Sequence, residues 1–367
     1  GAVTFGASGA AVDIETDGND DDLLVISSGA GDVTFWGTIG ASDELGGLNI
    51  NAATAGTGDI TFKTNIGAVG NPGIVGTTSI GTATGATTDT ENVHFMGTLY
   101  SFDGGVTTIA ADAAVGSGAG NDENIEVGTS GSNVEFKAAG EALTFVGGKL
   151  DLANNSNLTI NSGGGDVTVT GIAGQSDETV TIEASAGSVT LGAIGDSSHT
   201  EIHELDIDGA GGITLTGNIY TSGLTAGNAA TKGAHVNFGD PVTISGTVII
   251  DTDDSSATDL PGDVTFTTSI DGADATTDNL TIESGTGTIT LVAIGATKEL
   301  EGLTINAQST GTSALTVPNI GSGAITLSTG AGVAGNVAIG NTNTASITLN
   351  GLIYSVDGNI TLTTTTG

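Results

Sequence analysis

The chain has 367 residues, with 62 Gly and no Cys, and its 42 Asp and Glu oppose only five Lys and no Arg, so the formal net charge is −37. Neutralising nucleic-acid phosphates needs Lys and Arg, so this charge argues against a nucleic-acid partner and disfavours an anionic membrane surface. The absence of Cys excludes disulfides, and no apolar run approaches the ~20 residues of a membrane-spanning helix.

One short phrase recurs along the chain: Gly, a small or acidic residue, a β-branched residue, Thr and an apolar residue. The apolar–Thr–apolar alternation predicts a short strand, and the Gly predicts the turn before it. Helix signals are almost absent, so the sequence predicts an all-β protein. In chain order the phrase occupies Gly31–Phe35, Gly58–Phe62, Gly165–Val169, Gly187–Leu191, Gly211–Leu215, Gly262–Phe266, Gly287–Leu291, Gly323–Leu327, Ala345–Leu349 and Gly358–Leu362.

A longer repeat contains this phrase and indicates internal duplication. The segment Leu23–Ala52 aligns with Thr179–Gly209 and with Asn279–Ala307. Repeats at such long periods are typical of arrays in which each unit stacks on its neighbours. We therefore predict one continuous repeat array over residues 1–367. Its related modules cover approximately residues 23–110, 179–225 and 279–367.

The spacing of the strands predicts a parallel β-solenoid. Strand phrases near the end of the chain begin every 10–13 residues, and two strands per coil would give a coil of roughly 22 residues. The links between strands are longer than two-residue hairpin turns, and the apolar residues are mostly β-branched or small. Tandem Ig-like β-sandwich domains are the alternative, because the longer repeat is also about one sandwich domain in length.

The phrases GDVTFWGTIGASDELGGLNINA (Gly31–Ala52) and GTITLVAIGATKELEGLTINA (Gly287–Ala307) resemble repeats of large bacterial surface proteins. These belong to the filamentous-haemagglutinin-like and autotransporter-passenger-like β-strand-repeat families. The resemblance covers most of the chain. It implies a right-handed β-helix that is secreted by a prokaryote and serves in adhesion or as a cell-surface fibre.

Two acidic loops are candidate calcium sites. Each places several carboxylates close to Gly, and Ca²⁺ prefers several oxygen ligands from a flexible loop. Bound divalent ions would also relieve the repulsion of a chain this negative. The alternative is a solvated turn, since Asp and Asn suit turn conformations. The candidate ligands are Asp17, Asp20, Asp22, Asp251, Asp253, Asp254 and Asp259.

Other chemistry-bearing residues are few. His199 and His203 are clustered beside Glu204, but the aligned modules carry no His there, and we interpret the segment as a polar surface loop. We interpret Trp36 as a packed cover, with contact to a sugar as the alternative. No catalytic constellation stands out, so we expect no enzyme activity; a β-helix enzyme that degrades polysaccharide is the less favoured alternative.

The favoured function is that of a structural subunit or segment of an extracellular surface filament. Strand phrases reach both ends of the sequence, which predicts head-to-tail association with identical subunits or with flanking repeats of a longer chain. A cell-surface adhesin that binds glycan or matrix is the alternative. We expect no nucleic-acid partner and no membrane insertion, and the only expected cofactor is Ca²⁺.

Overall fold

The computed structural model is all-β, as predicted. It describes residues 1–18, 22–51, 58–82, 90, 92–111, 124–175, 178–195, 202–222, 234–253, 261–274, 277–306, 314–320 and 332–365, and every regular element among these is a strand. The chain forms two compact units, Gly1–Ser188 and Val189–Gly367. The finer module boundaries stay a prediction.

The first unit contains three columns of stacked strands. One column comprises β1, β3, β5, β7, β10 and β13, a second comprises β2, β4, β6, β9, β12 and β15, and a third comprises β8, β11, β14 and β16. The bounds are β1 (Val3–Phe5), β2 (Leu23–Ile26), β3 (Val33–Phe35), β4 (Gly47–Ile50), β5 (Ile60–Phe62), β6 (Thr78–Ile80), β7 (Val93–Phe95), β8 (Leu99–Ser101), β9 (Val106–Ala111), β10 (Ile125–Val127), β11 (Asn133–Lys137), β12 (Leu143–Gly147), β13 (Leu150–Leu152), β14 (Asn157–Asn161), β15 (Val167–Ala173) and β16 (Thr179–Glu183).

The second unit repeats this arrangement. Its columns are β17–β19–β22–β25–β28–β31, β20–β23–β26–β29–β32–β34 and β18–β21–β24–β27, and β30 pairs with β33. The bounds are β17 (Val189–Ile194), β18 (Glu204–Asp208), β19 (Ile213–Leu215), β20 (Ile219–Tyr220), β21 (His235–Phe238), β22 (Val242–Ile244), β23 (Thr247–Asp251), β24 (Val264–Phe266), β25 (Ser269–Gly272), β26 (Asn279–Glu283), β27 (Ile289–Thr290), β28 (Ala293–Ile294), β29 (Gly302–Ile305), β30 (Ala314–Val317), β31 (Asn319–Ile320), β32 (Val337–Ile339), β33 (Ser346–Leu349) and β34 (Ile360–Leu362).

Strand pairing within each unit is parallel. Val33–Phe35 pairs with Ile60–Phe62, and Val189–Leu191 pairs with Ile213–Leu215, each residue opposite its counterpart in the phrase. The same orientation holds for every strand pair described within the two units. It does not fit the alternative of tandem Ig-like sandwiches, whose sheets are antiparallel.

The length of a coil varies along the chain, and only some coils have the expected length. Leu158 lies opposite Val180, 22 residues later, whereas Val106 lies opposite Leu143, 37 residues later. Two strands per coil holds only for the first coils, from β1 to β6, where the third side has isolated bridges; from β8 onward a third column of strands is present. Loops of varying length separate the columns, and loop-closure entropy rises only slowly with length, so insertions are tolerated.

The core is made of inward side chains stacked directly on their counterparts. In the phrase, the residues on either side of Thr are buried while the Thr lies on the outer face, as in Val33–Thr34–Phe35. The rings of Phe5, Phe35, Phe62 and Phe95 stack with centroids 5.0, 5.0 and 5.2 Å apart. Offset or edge contacts between aromatic rings stabilise a core beyond the area they bury.

The first two residues of the phrase form the coil corner. A Cβ on Gly58 would lie 2.5 Å from the Gly31 carbonyl of the neighbouring coil, so only Gly fits there. The next residue accepts a hydrogen bond from the backbone one coil later: Asp32 from the Asp59 N–H at 3.2 Å, and Asp59 from the Asn92 N–H at 3.2 Å. The acidic residue of the phrase therefore satisfies a backbone donor that the strand pairing leaves open.

A buried Ser–Asn pair closes a second corner in two of the aligned modules. Asn51 is 1% exposed with φ of 53° and accepts from the Ser28 N–H at 2.9 Å. Asn306 is also 1% exposed, with φ of 45°, and accepts from the Ser284 N–H at 2.7 Å. Asn tolerates left-handed backbone better than most residues, which explains its choice at both corners.

Thr78 is a polar residue at an inward position, where the other strands of its column carry apolar side chains. Its side chain is fully buried on β6, between the inward positions of Leu48 and Val106, and its hydroxyl has no hydrogen-bond partner. Thr78→Val removes an unsatisfied buried hydroxyl at nearly constant volume, so we expect the free energy of unfolding to rise by about 1 kcal/mol. Chemical denaturation measures the change.

Thr144→Val is the matched control, because Thr144 lies on the outer face of β12 in the same unit. We expect that change to shift stability by less than about 0.5 kcal/mol. A Thr78→Val variant less stable than the parent would show that the hydroxyl is satisfied in solution.

Candidate functional site

The first predicted calcium loop lies before β2. Asp17 and Asp22 are both exposed. Asp20 lies outside the described residues, so the calcium site in this loop stays a prediction.

The second predicted calcium loop begins at the end of β23. Asp251 is half-buried, lies opposite Glu283 in the strand register, and accepts a hydrogen bond from the Asp253 N–H at 2.9 Å. Asp254 and Asp259 lie outside the described residues. In the described parts of the chain, no three His, Asp or Glu side chains are grouped so as to hold a metal ion. The calcium assignment stays a prediction.

The predicted surface position of His203 is wrong. Its side chain is only 5% exposed, its Nδ1 lies 3.2 Å from the Ser222 carbonyl oxygen, and its Nε2 is buried without a partner. Its neighbour Ile202 is inward-facing and fully buried, and it bridges to Thr221 of the next coil. Because Ile202 pairs in parallel with Thr221 of the next coil, the segment around His203 lies in the interior and not on the surface. His199 lies outside the described residues.

Three titratable side chains meet on the outer face of the first unit. His94 on β7 occupies the position that Thr61 occupies on β5, and Glu126 occupies it on β10. The His94 Nδ1 lies 2.5 Å from Glu126 Oε2, and Nε2 lies 3.7 Å from Asp59 Oδ2. One imidazole therefore bridges carboxylates of two different coils.

This arrangement favours the charged form of the imidazole. The Asp59 carboxylate, and after it the Glu126 carboxylate, raise the pKa of His94 to about 9, although burial opposes the shift. Hydrogen bonding to His94 in turn lowers the pKa of Asp59 and of Glu126. An imidazolium pairs with carboxylates and offers no free lone pair, so His94 is suited to electrostatic linkage of the coils rather than to general-base catalysis.

A second outer-face group lies beside this cluster. The Lys63 Nζ is 5.6 Å from the centroid of the Trp36 ring and 3.0 Å from the Met96 Sδ. Trp36 is half-buried, so the expected packed cover leaves part of its ring accessible. The sequence did not predict the His94 cluster or the Trp36–Lys63–Met96 group. The residues that meet in each are about 30 positions apart in the chain and become neighbours only when the coils stack.

The chain has no match among family models, curated proteins or solved structures. The resemblance to bacterial surface repeats therefore stays a prediction. Within the described residues, no helix has the length and apolar character needed to cross a bilayer.

The His94 bridge predicts a pH dependence of stability. The folded-state pKa is raised from 6.5 to about 9, so the stabilisation is complete below about pH 6.5 and is lost as the pH rises through about 9. We expect the unfolding free energy to fall by roughly 1–2 kcal/mol over that range, less than the full shift implies because solvent screens the carboxylates. Thermal unfolding across pH measures this, and NMR titration measures the His94 pKa directly.

His94→Gln should flatten this alkaline loss of stability. His235→Gln is the matched control, because the His235 Nδ1 accepts a hydrogen bond from the Asp263 backbone N–H instead of bridging two carboxylates. An unchanged alkaline slope in His94→Gln would contradict the assignment.

Proposed function

We propose that this chain is a structural segment of an extracellular fibre, built as a closed, right-handed β-solenoid whose coils continue end to end. The three columns of parallel strands in each unit support the solenoid, since such columns are what stacked coils produce. The proposed hand follows from chirality: about 98% of parallel crossover connections are right-handed.

The observation that carries end-to-end continuation is the uncovered edge at β34. Ile360 and Leu362 are 46% and 43% exposed, whereas Val337 and Ile339, opposite them in the register, are fully buried. Within the described residues, no strand pairs with the outer edge of β34. An exposed apolar strand edge favours the addition of another strand.

The rest of this coil supports the same conclusion. Leu349, Leu352 and Val356 are 45%, 50% and 39% exposed. Leu349 lies opposite Val317, which is 1% exposed. Leu349 therefore occupies an inward position that is buried one coil earlier and open here, and a further coil of the same type would cover it.

A second copy of this chain offers a matching strand. In β1, Val3 and Phe5 flank Thr4 in the apolar–Thr–apolar order of Ile360–Leu362, and β1 already pairs with β3 in that register. Continuing the register would place Val3 over Ile360 and Phe5 over Leu362. A flanking repeat with the same phrase would serve equally well.

Charge sets the conditions for such association. A net charge of −37 makes copies repel one another, and salt or bound divalent cations reduce that repulsion. Ca²⁺ at the predicted acidic loops would act in this way. The absence of Cys and of Arg suits a chain exposed outside the cell, because it leaves no thiol to oxidise and few sites for trypsin-like proteases.

Assembly of the purified chain tests the proposal. We expect electron microscopy and sedimentation to show end-to-end filaments at high protein concentration with Ca²⁺ present. Ile360→Asp should abolish them, because it places a charge in the apolar contact. Thr361→Asp is the control: it adds the same charge at the adjacent, outward position and should leave assembly largely intact.

A cross-link tests the register. The chain has no native Cys, so Thr4→Cys combined with Thr361→Cys should give disulfide-linked oligomers only under oxidising conditions. Particles of single-chain size at every concentration, with Ca²⁺ present, would overturn self-association. Equal loss of filaments in both Asp variants would overturn the role of the apolar edge.

A further inference from the structure

Trp36, Lys63 and Met96 form a row on the outer face of the first unit. Each follows directly after a strand of one column, and each donates its backbone N–H to the preceding coil: Trp36 to the Phe5 carbonyl at 3.0 Å, and Lys63 to the Phe35 carbonyl at 2.9 Å. Met96 bonds to the Phe62 carbonyl in the same way, at 2.9 Å. The chain's only Trp and only Met are therefore held on a rigid sheet, with a Lys between them.

The Lys63 ammonium lacks a carboxylate partner. Among the described residues no Asp or Glu lies within ion-pair distance of it, although the chain carries 42 of them. Its neighbours are the Trp36 ring and the Met96 sulfur. These leave its positive charge uncompensated and available to an external anion.

The neighbouring row supplies hydrogen-bonding groups. Thr34 and Thr61 lie opposite each other, and His94 and Glu126 occupy the same outward position on the next two strands of the column. The charges of His94 and Lys63 offset those of Asp59 and Glu126, and Asp32 adds one further negative charge beside Thr34, so this area is less negative than the acidic loops. An anionic ligand meets less repulsion here than at the carboxylate-rich loops.

We propose that this face binds an acidic polysaccharide of the uronate type. A pyranose ring would stack its C–H face on the accessible part of Trp36, its carboxylate would pair with Lys63, and its hydroxyls would bond to Thr34 and Thr61. An acidic peptide would satisfy Lys63 but would leave the row of hydroxyls unused. This binding does not depend on filament assembly.

The single Trp makes the site directly measurable. Titration with oligogalacturonate should change Trp36 fluorescence in a saturable way, whereas a neutral oligomeric glucan and poly-glutamate should change it little. Lys63→Gln should weaken oligogalacturonate binding by about tenfold. Lys137→Gln, an outward Lys on β11 of the same unit, removes the same charge and should bind like the parent. Calorimetry with Trp36→Ala should show loss of binding, with circular dichroism confirming the fold.

Each other outcome overturns the assignment. An equal response to poly-glutamate would assign the face to acidic peptides, and an equal response to the neutral glucan would remove the role of the carboxylate. If Lys63→Gln and Lys137→Gln weakened oligogalacturonate binding equally, the effect would come from the net charge of the chain and not from a site at Lys63. No saturable response at all would leave Trp36 and Lys63 as a purely structural pair.

Discussion

Backbone hydrogen bonding between successive coils fixes which residue lies over which, and the rest of the structure depends on that register. Because the pairing is parallel and in register, Val33 lies opposite Ile60 and Phe35 opposite Phe62. Like side chains then stack, and a strand can be as short as three residues without losing its core contacts. A slip of one residue would exchange the buried and outward sets, so the apolar–Thr–apolar pattern itself protects the register.

The unusual composition follows from the same constraint. The corner needs a residue without Cβ where coils approach most closely, as at Gly58. It then needs a short side chain that accepts the next backbone N–H, as Asp166 does from Ser188 at 2.8 Å, a bond that also lowers the pKa of Asp166. Part of the negative charge is therefore structural. The carboxylates at these corners are engaged by the backbone, so an acidic composition alone is weak evidence for metal binding.

Outward positions are free of this constraint, and the candidate sites occur there. The outward position of one column carries Thr34, Thr61, His94 and Glu126 in turn, while the inward residues beside it stay apolar. Chemistry can change from coil to coil at little cost to the core. The same freedom would let a repeat chain of this kind carry a local binding face without any change in its repeat.

The sequence alone determined the all-β class and the positions of the strands that carry the five-residue phrase, because these are local properties; the phrase at Gly323–Leu327 lies outside the described residues. It did not determine the third column of strands, the burial of His203, or the contact of His94 with Asp59 and Glu126. Those depend on which strands lie opposite one another, and loops of unequal length set the offset at 22 residues for Leu158 and 37 for Val106. Loop closure costs little free energy per added residue, so loop length is nearly independent of the local pattern, and only the folded chain decides which outward side chains become neighbours.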